Sequence, residues 1–155
     1  MSIYFPPSLQ RFDARHMAFS TWVDHMAFGY DIVECLRPQV VVELGAYNGV
    51  SFFTFCQSMK ENDIDGLCYA VDTWAGDEHT GSYDTSVIDG VRAHAREHYR
   101  GNSYLLQMYF NEALAHFDQE STDLLEIDGL PTSEGVQEDS SEERRGREGG
   151  RSRWR

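Results

Sequence analysis

Residues 40–51 read VVVELGAYNGVS, an apolar run followed by two glycines four residues apart. Apolar residues in a row predict a strand buried on both faces, as in a parallel sheet, because a half-buried strand would alternate with polar residues. Gly45 and Gly49 then predict a tight turn that leads into a helix. Such a turn lets a ligand approach the backbone, and the helix N-terminus offers unpaired N–H groups. The stretch therefore predicts a pocket for a nucleotide-like ligand.

The rest of the chain continues this alternation of strands and helices. Helices are predicted over 17–36, 51–60, about 85–99 with Asp84 or Ser86 as the cap, and 111–117 with Asn111 as the cap. Further strands are predicted over 67–71, 103–108 and 124–128. The pattern predicts an α/β fold, a Rossmann-like parallel sheet flanked by helices, with about four strands present.

Length, charge and cysteines limit the function. A chain of 155 residues suits one domain, and its net charge of -13 argues against a nucleic-acid groove or an anionic membrane surface. A small-molecule substrate fits better. Cys35, Cys56 and Cys68 lie among apolar neighbours without metal-ligand spacing, which is typical of buried, reduced thiols in a cytoplasmic protein. No apolar run reaches the roughly 20 residues of a membrane span, and no signal-peptide core is present.

Two aspartates end predicted strands, at the edge where parallel sheets bind ligands. Asp72 follows Gly49 by twenty-three residues, at a position where an acid can accept hydrogen bonds from the two hydroxyls of a ribose. The alternative is that Asp72 caps a helix or a turn. Asp128 precedes a glycine and should face the reacting groups. The loop after Asp72 contains His79 and glycines, which suits either a lid or a solvated loop.

Other aromatic and histidine residues have a structural and a functional interpretation. Trp22 and His25 are predicted as a structural tryptophan and a surface histidine. His94 and His98 have the spacing of a zinc-binding pair on a helix, but the sequence suggests no third ligand. We therefore predict that His94 and His98 lie on a solvated face.

The spacing of the glycines separates two ligand classes. A dinucleotide fingerprint needs G-x-G-x-x-G, which the turn lacks, so hydride chemistry is disfavoured. The arrangement of Glu43, Gly45 and Gly49 resembles the first motif of the class I S-adenosylmethionine-dependent methyltransferases. VDTWAGD at 71–77 and LLEIDGLPT at 124–132 strengthen this resemblance, which covers about 17–139. The motif at 124–132 resembles the fourth-strand motif of one branch of these methyltransferases, which is often found among enzymes that modify sugars, antibiotics or small metabolites.

The resemblance implies methyl transfer from S-adenosylmethionine to a small-molecule acceptor. It implies cofactor contacts from Glu43, Gly45, Ala46, Tyr47, Asn48, Gly49, Asp72 and Thr73. Asp128 is implied as a general base or metal ligand, and His79 is the second catalytic candidate. No residue pattern supports a divalent metal, which stays an open alternative.

The chain also departs from the pattern of that branch. Glu126, Pro131 and Ser133 stand where the branch usually has His, His and Tyr, which removes plausible catalytic or metal-supporting groups. Weak or absent activity is therefore expected, and the alternatives are a non-catalytic cofactor-binding remnant or binding module and, less favoured, an NAD-dependent oxidoreductase.

The end of the chain differs in composition from the rest. Residues 140–155 are rich in Arg, Gly and Glu and predict a disordered tail, where the resembling family continues into three further strands. The expected organisation is an arm over 1–16, a partial core over 17–139 and this tail, in a shortened or frame-disrupted chain. Its fourth strand would then expose an edge that favours self-association.

Overall fold

The computed structural model of the chain describes residues 12–77, 81–118 and 120–128. Most of the predicted arm, His79, and everything from Gly129 onward lie outside these residues, including Pro131, Ser133 and the predicted tail. The proposed domain boundaries at 16 and 139 therefore stay predictions.

A parallel sheet of four strands forms the centre of the fold. The strands of the chain are β1 Val40–Leu44, β2 Leu67–Asp72, β3 Gly76–Asp77, β4 Gly81–Ser82, β5 Ser103–Gln107 and β6 Leu124–Ile127. The central sheet has the order β5-β2-β1-β6, and β3 and β4 form a separate antiparallel pair. Each neighbouring pair in the central sheet runs parallel, which confirms the predicted α/β Rossmann-like sheet. The strand order reverses beside β1, so a ligand crevice is expected between β1 and β6 at their carboxyl ends.

Three long helices cover one face of the sheet, and one short helix packs on the other. They are α1 Met26–Leu36, α2 Val50–Glu61, α3 Thr85–His98 and the short α4 Phe110–Ala113, with 3-10 turns at Thr21–His25 and Leu114–His116. The core between α1, α2, α3 and the sheet includes Val33, Phe52, Val91, Val41 and Cys68. A smaller cluster around Val42, Val71 and Ala113 lies on the opposite face, where α4 packs.

Two helix predictions need correction at their starts. Residues 17–20 are not helical, because the Ser20 hydroxyl accepts the N–H of Trp22 at 3.1 Å and starts a 3-10 turn there. The helix predicted over 111–117 begins at Phe110 and changes to a 3-10 turn after Ala113. Asn111 therefore does not cap it. The Asp84 cap of α3 is confirmed, since its carboxylate accepts the N–H of Ser86 at 2.8 Å.

Helix α2 is buried around its whole circumference rather than on one face. All residues from Val50 to Met59 are buried. Tertiary packing causes this burial, because α1 and α3 flank α2 on the sheet and the N-terminal arm reaches Gln57. Of the three cysteines, Cys56 and Cys68 are buried as predicted, but Cys35 is exposed. Among the described residues, no helix is long and apolar enough to cross a membrane.

Candidate functional site

The glycine turn lies where β1 meets α2. Gly45 and Gly49 adopt φ values of 93° and 77°, a region that side chains with a Cβ rarely enter. A Cβ on Gly49 would also come within 2.7 Å of the Phe53 ring. The N–H of Gly49 donates to the carbonyl of Ala46 at 2.7 Å, which closes the turn. No side chain of the described residues caps α2, so its first N–H groups face the crevice uncapped.

Asp72 ties this turn to the loop that follows β2. One of its carboxylate oxygens accepts the N–H of Tyr47 at 2.9 Å, and the other accepts the N–H of Trp74 at 2.7 Å. The Trp74 indole N–H donates back to the carbonyl of Tyr47 at 2.8 Å. Asp72 thus has the turn-capping role that the sequence left as an alternative. Each of its oxygens keeps a second acceptor position, so the ribose role stays a prediction.

The loop after β2 folds back over the glycine turn. Thr73 starts it, and the Thr73 hydroxyl accepts the N–H of Ala75 at 3.2 Å. The N–H of Tyr83 then donates to the carbonyl of Ala75 at 3.2 Å, so the loop returns towards its start. The Tyr83 and Tyr47 rings lie 4.7 Å apart. This contact brings the loop beside the crevice, although His79 itself lies outside the described residues.

Glu43 is a fully buried acid beneath the turn. Its side chain is 0% exposed, and one carboxyl oxygen accepts a hydrogen bond from the Ser51 hydroxyl of α2. The other oxygen has no hydrogen-bond partner among the described residues. Burial raises the pKa of Glu43 to about 8, the Ser51 hydrogen bond opposes this, and the negative charges of Asp128, Glu126 and Asp72 add to it. Glu43 therefore holds a proton at neutral pH in the free protein.

Asp128 lies on the other side of the crevice. Its N–H donates to the carbonyl of Leu44 at 3.0 Å, which places it directly beside the glycine turn. Its side chain is exposed. Desolvation and the charge of Glu126 raise the pKa of Asp128, and the charge of His25 lowers it. The structure thus brings Asp128 together with Glu43 and Asp72 at one edge of the sheet, as the sequence predicted.

Trp22 and Glu126 are in contact on the side of the sheet that the long helices cover. Trp22 is buried, which confirms its structural interpretation, and its indole N–H donates to the Glu126 carboxylate at 3.4 Å. In the sheet, Glu126 lies opposite Glu43. His25 is exposed as predicted, with its ring 6.0 Å from that of Trp22. Exposure alternates along β6 in the structure, with Glu126 half-buried between exposed Leu125 and Ile127, but the residues of this strand do not alternate between apolar and polar and contain no sequence signal for this placement.

The N-terminal arm supports the glycine turn, a role that the sequence did not reveal. The His16 ring nitrogen lies 2.8 Å from the carbonyl of Asn48, and the Asn48 amide donates to the carbonyl of Phe19 at 2.9 Å. Burial lowers the pKa of His16. His16 of the arm and Phe19, just after the arm, therefore both contact Asn48 and fix its position in the turn.

The environment of His94 differs from its prediction. Its ring packs 4.5 Å from both His16 and Phe53, so it does not lie on a solvated face, whereas His98 is exposed. Burial and the neighbouring histidines lower the pKa of His94 to about 4, so it is neutral at pH 7. No group of three side chains suited to hold a metal ion occurs among the described residues.

Known proteins resemble this chain in sequence and in fold. A family model described as a methyltransferase domain matches residues 42–145. The uncharacterized protein y4gI of Sinorhizobium fredii is 44% identical over 110 residues, which cover 71% of this chain and 12% of that protein. This chain therefore spans only a small part of that relative.

Two solved structures share the fold at low identity. The SAH-bound methyltransferase PaMTH1 of Podospora anserina aligns with a TM-score of 0.56 at 14% identity, over 87% of this chain and 50% of its own. The O-methyltransferase TomG of Streptomyces achromogenes, involved in tomaymycin synthesis and in complex with SAM, aligns with a TM-score of 0.52 at 13% identity, over 80% of this chain and 51% of its own. Since the family model covers more than half of the sequence, this chain belongs to the methyltransferase domain family.

Proposed function

We propose that the chain binds S-adenosylmethionine at the carboxyl ends of β1 and β2 and transfers its methyl group to a small molecule. The observation that carries this proposal is the glycine turn with its uncapped helix, which Asp72 connects to the loop after β2. Membership of the methyltransferase domain family supports it. TomG, which shares the fold, was solved in complex with SAM.

The charge of the crevice favours a cationic ligand. Asp72, Glu126 and Asp128 surround the protonated Glu43 and raise its pKa, and no salt bridge from Lys or Arg reaches these three carboxylates within the described parts of the chain. S-adenosylmethionine carries a positive sulfonium, a positive ammonium and a negative carboxylate group, so its net charge is positive. A cation therefore gains more from this crevice than an anionic dinucleotide such as NAD.

Different residues of the proposed cofactor site would contact different parts of the ligand. The backbone from Gly45 through Ala46, Tyr47 and Asn48 to Gly49 lies where a ligand can approach closely, because neither glycine has a side chain. Asp72 would accept hydroxyl hydrogen bonds from a ribose through its free acceptor positions. Thr73 lies next to it at the start of the loop. Glu43 has no exposed surface, so it would support the turn from beneath through its hydrogen bond with Ser51.

When bound, S-adenosylmethionine supplies an electrophilic methyl group. The residues of the chain orient the acceptor and remove its proton. Asp128 is the candidate general base, because it is exposed beside the turn and its raised pKa favours proton uptake. His79 stays the second candidate. We propose that the protein is cytoplasmic, because its cysteines are free thiols, and that its acceptor is a small molecule rather than a nucleic acid, because its net charge is -13.

Titration calorimetry with S-adenosylmethionine and with NAD on the same protein tests the proposal. We expect saturable binding of S-adenosylmethionine and no measurable heat with NAD. Tighter binding of NAD, or binding of neither ligand to a folded protein, would overturn the proposed function. Release of methyl-labelled product with small hydroxyl or amine acceptors then separates an enzyme from a chain that binds the cofactor without turnover.

A further inference from the structure

A second pocket lies at the far end of α2 and α3 from the glycine turn. It has a volume of about 350 Å³ and is lined by Arg15, Gln57, Lys60, Glu61, His98 and Tyr99. Since α2 starts at the turn and has 12 residues at about 1.5 Å each, its last turn lies roughly 18 Å from the crevice. This pocket, called the basic pocket below, therefore has no part in the proposed methyl-transfer site.

The acceptor groups of the basic pocket are already engaged. One Glu61 oxygen accepts from the Arg15 guanidinium at 2.8 Å and from the Gln57 amide at 3.1 Å, and the other accepts from the Tyr30 hydroxyl at 3.0 Å. These bonds lower the pKa of Glu61 against the effect of its burial, so it stays ionised. The Gln57 carbonyl accepts the backbone N–H of Arg15 at 3.1 Å.

Several donors of the basic pocket are unused. The Lys60 ammonium donates to the carbonyl of His98 at 2.9 Å and keeps two further hydrogens, and its nitrogen lies 5.7 Å from the centre of the Tyr99 ring. The Tyr99 hydroxyl is buried and has no hydrogen-bond partner among the described residues. Tyr99 itself is only 2% exposed. A buried hydroxyl without a partner is destabilising, and because Tyr99 lines the pocket, an acceptor that reaches this hydroxyl would remove the penalty.

The charged side chains that line the basic pocket also favour an anionic ligand. Arg15 and Lys60 outweigh Glu61 within a chain whose net charge is -13. Burial raises the pKa of Tyr99 to about 12, so its hydroxyl stays a donor at neutral pH. The basic pocket thus offers donors and positive charge but no unengaged carboxylate or side-chain amide oxygen.

We propose that the basic pocket binds a small oxyanion, a phosphate or carboxylate group carried by a small molecule. Lys60 would supply charge and two donors, and Tyr99 would supply the buried hydroxyl. The guanidinium of Arg15, whose Nε is held by Glu61, would present its remaining N–H groups to the same anion. This site is independent of the proposed methyl transfer and stands or falls separately from it.

The test is a titration of the full chain with inorganic phosphate or acetate, followed by amide chemical shifts in NMR spectra at constant ionic strength. We expect saturable shifts at the residues that line the basic pocket below about 10 mM. Stronger binding of phosphate would indicate a phosphorylated ligand, and stronger binding of acetate a carboxylate. Sodium chloride alone should produce no such shifts.

Three variants make the proposal specific. Lys60→Gln should weaken binding by about tenfold or more, and Tyr99→Phe should weaken it by several fold without lowering the melting temperature, because the lost hydroxyl has no partner in the free protein. Arg96→Gln is the matched control, since Arg96 is exposed on α3 and does not line the pocket. Unchanged affinity in Lys60→Gln or Tyr99→Phe, equal weakening in Arg96→Gln, or equal shifts with chloride would overturn the proposal.

Discussion

The two faces of the central sheet differ in how completely they are covered. On the face under α1, α2 and α3, Val41, Cys68 and Ala70 are at most 1% exposed. On the opposite face, Val71 on β2 is also buried at 0% exposed, but Leu125 and Ile127 on β6 are 50% and 59% exposed. The β6 part of this face, called the open face below, therefore contributes less to stability than the helical face, because only apolar area removed from water contributes.

The largest expected effect comes from Phe53→Ala on the helical side. Phe53 is 1% exposed, and its ring stacks on Tyr99 with centroids 5.6 Å apart. Removing a buried phenyl ring leaves a cavity and should lower the free energy of unfolding by about 3 to 5 kcal/mol, measured by urea denaturation. Ile127→Ala on the open face is the control and should cost about 1 kcal/mol or less, because more than half of its side chain is already in water. Equal losses would remove the contrast between the faces.

The second effect concerns the proton of Glu43. Because folding raises the pKa of Glu43 from 4.5 to about 8, the folded state binds the proton more tightly than the unfolded state. The contribution of Glu43 to the free energy of unfolding is therefore fully present below pH 4.5 and is lost as the pH rises to about 8. Between these values the free energy of unfolding falls by up to about 1.4 kcal/mol per pH unit. Glu43→Gln should flatten this decline and leave the protein more stable at pH 8.

Urea denaturation of both proteins at several pH values between 5 and 9 measures this difference. Asp65→Asn is the matched control, because it makes the same replacement of a carboxyl by an amide at an exposed position. The interpretation of Glu43 as a protonated buried acid would be wrong if Glu43→Gln and Asp65→Asn had the same pH dependence.

A smaller effect should separate the two aspartates at the crevice. Asp72→Ala removes an acceptor of two backbone N–H groups and the proposed ribose ligand, so affinity for S-adenosylmethionine should fall about ten- to a hundredfold. Asp128→Ala should change this affinity by only a few fold and instead reduce methyl transfer. Calorimetry and a labelled-methyl assay measure the two quantities. Wild-type affinity in Asp72→Ala would disprove the ribose assignment.

The smallest effect on stability is expected at β6, the strand whose exposed edge the sequence predicted to favour self-association. In the described parts of the chain, β6 pairs only with β1, and Leu125 is half exposed. Leu125→Lys should lower concentration-dependent association in sedimentation experiments, because charged residues on an edge strand oppose pairing between copies. Its free energy of unfolding should change by less than about 1 kcal/mol. A wild type that stays monomeric at all concentrations would contradict the predicted association.

Local patterns were enough to predict most of the elements. The apolar runs at Val40–Leu44 and Leu67–Asp72 and the two glycines have short-range causes, namely burial on both faces and positive φ. The same is true of the Asp84 cap. Local patterns failed where a distant residue decides the environment. His94 has the spacing of an exposed helix position, but His16, far away in the chain, packs on its ring.

The sequence by itself determined the parallel α/β sheet, the glycine turn and the placement of Asp72 and Asp128 at the ends of strands, because strand periodicity and backbone conformation depend on neighbouring residues. Only the tertiary structure decided that Asp72 is held by the N–H groups of Tyr47 and Trp74, and that Glu43 is buried with Ser51. It also decided that the basic pocket forms between Arg15, Lys60 and Tyr99. These environments join residues that are distant in the chain, and the burial that shifts a pKa or leaves a donor unpaired arises only when such residues pack together.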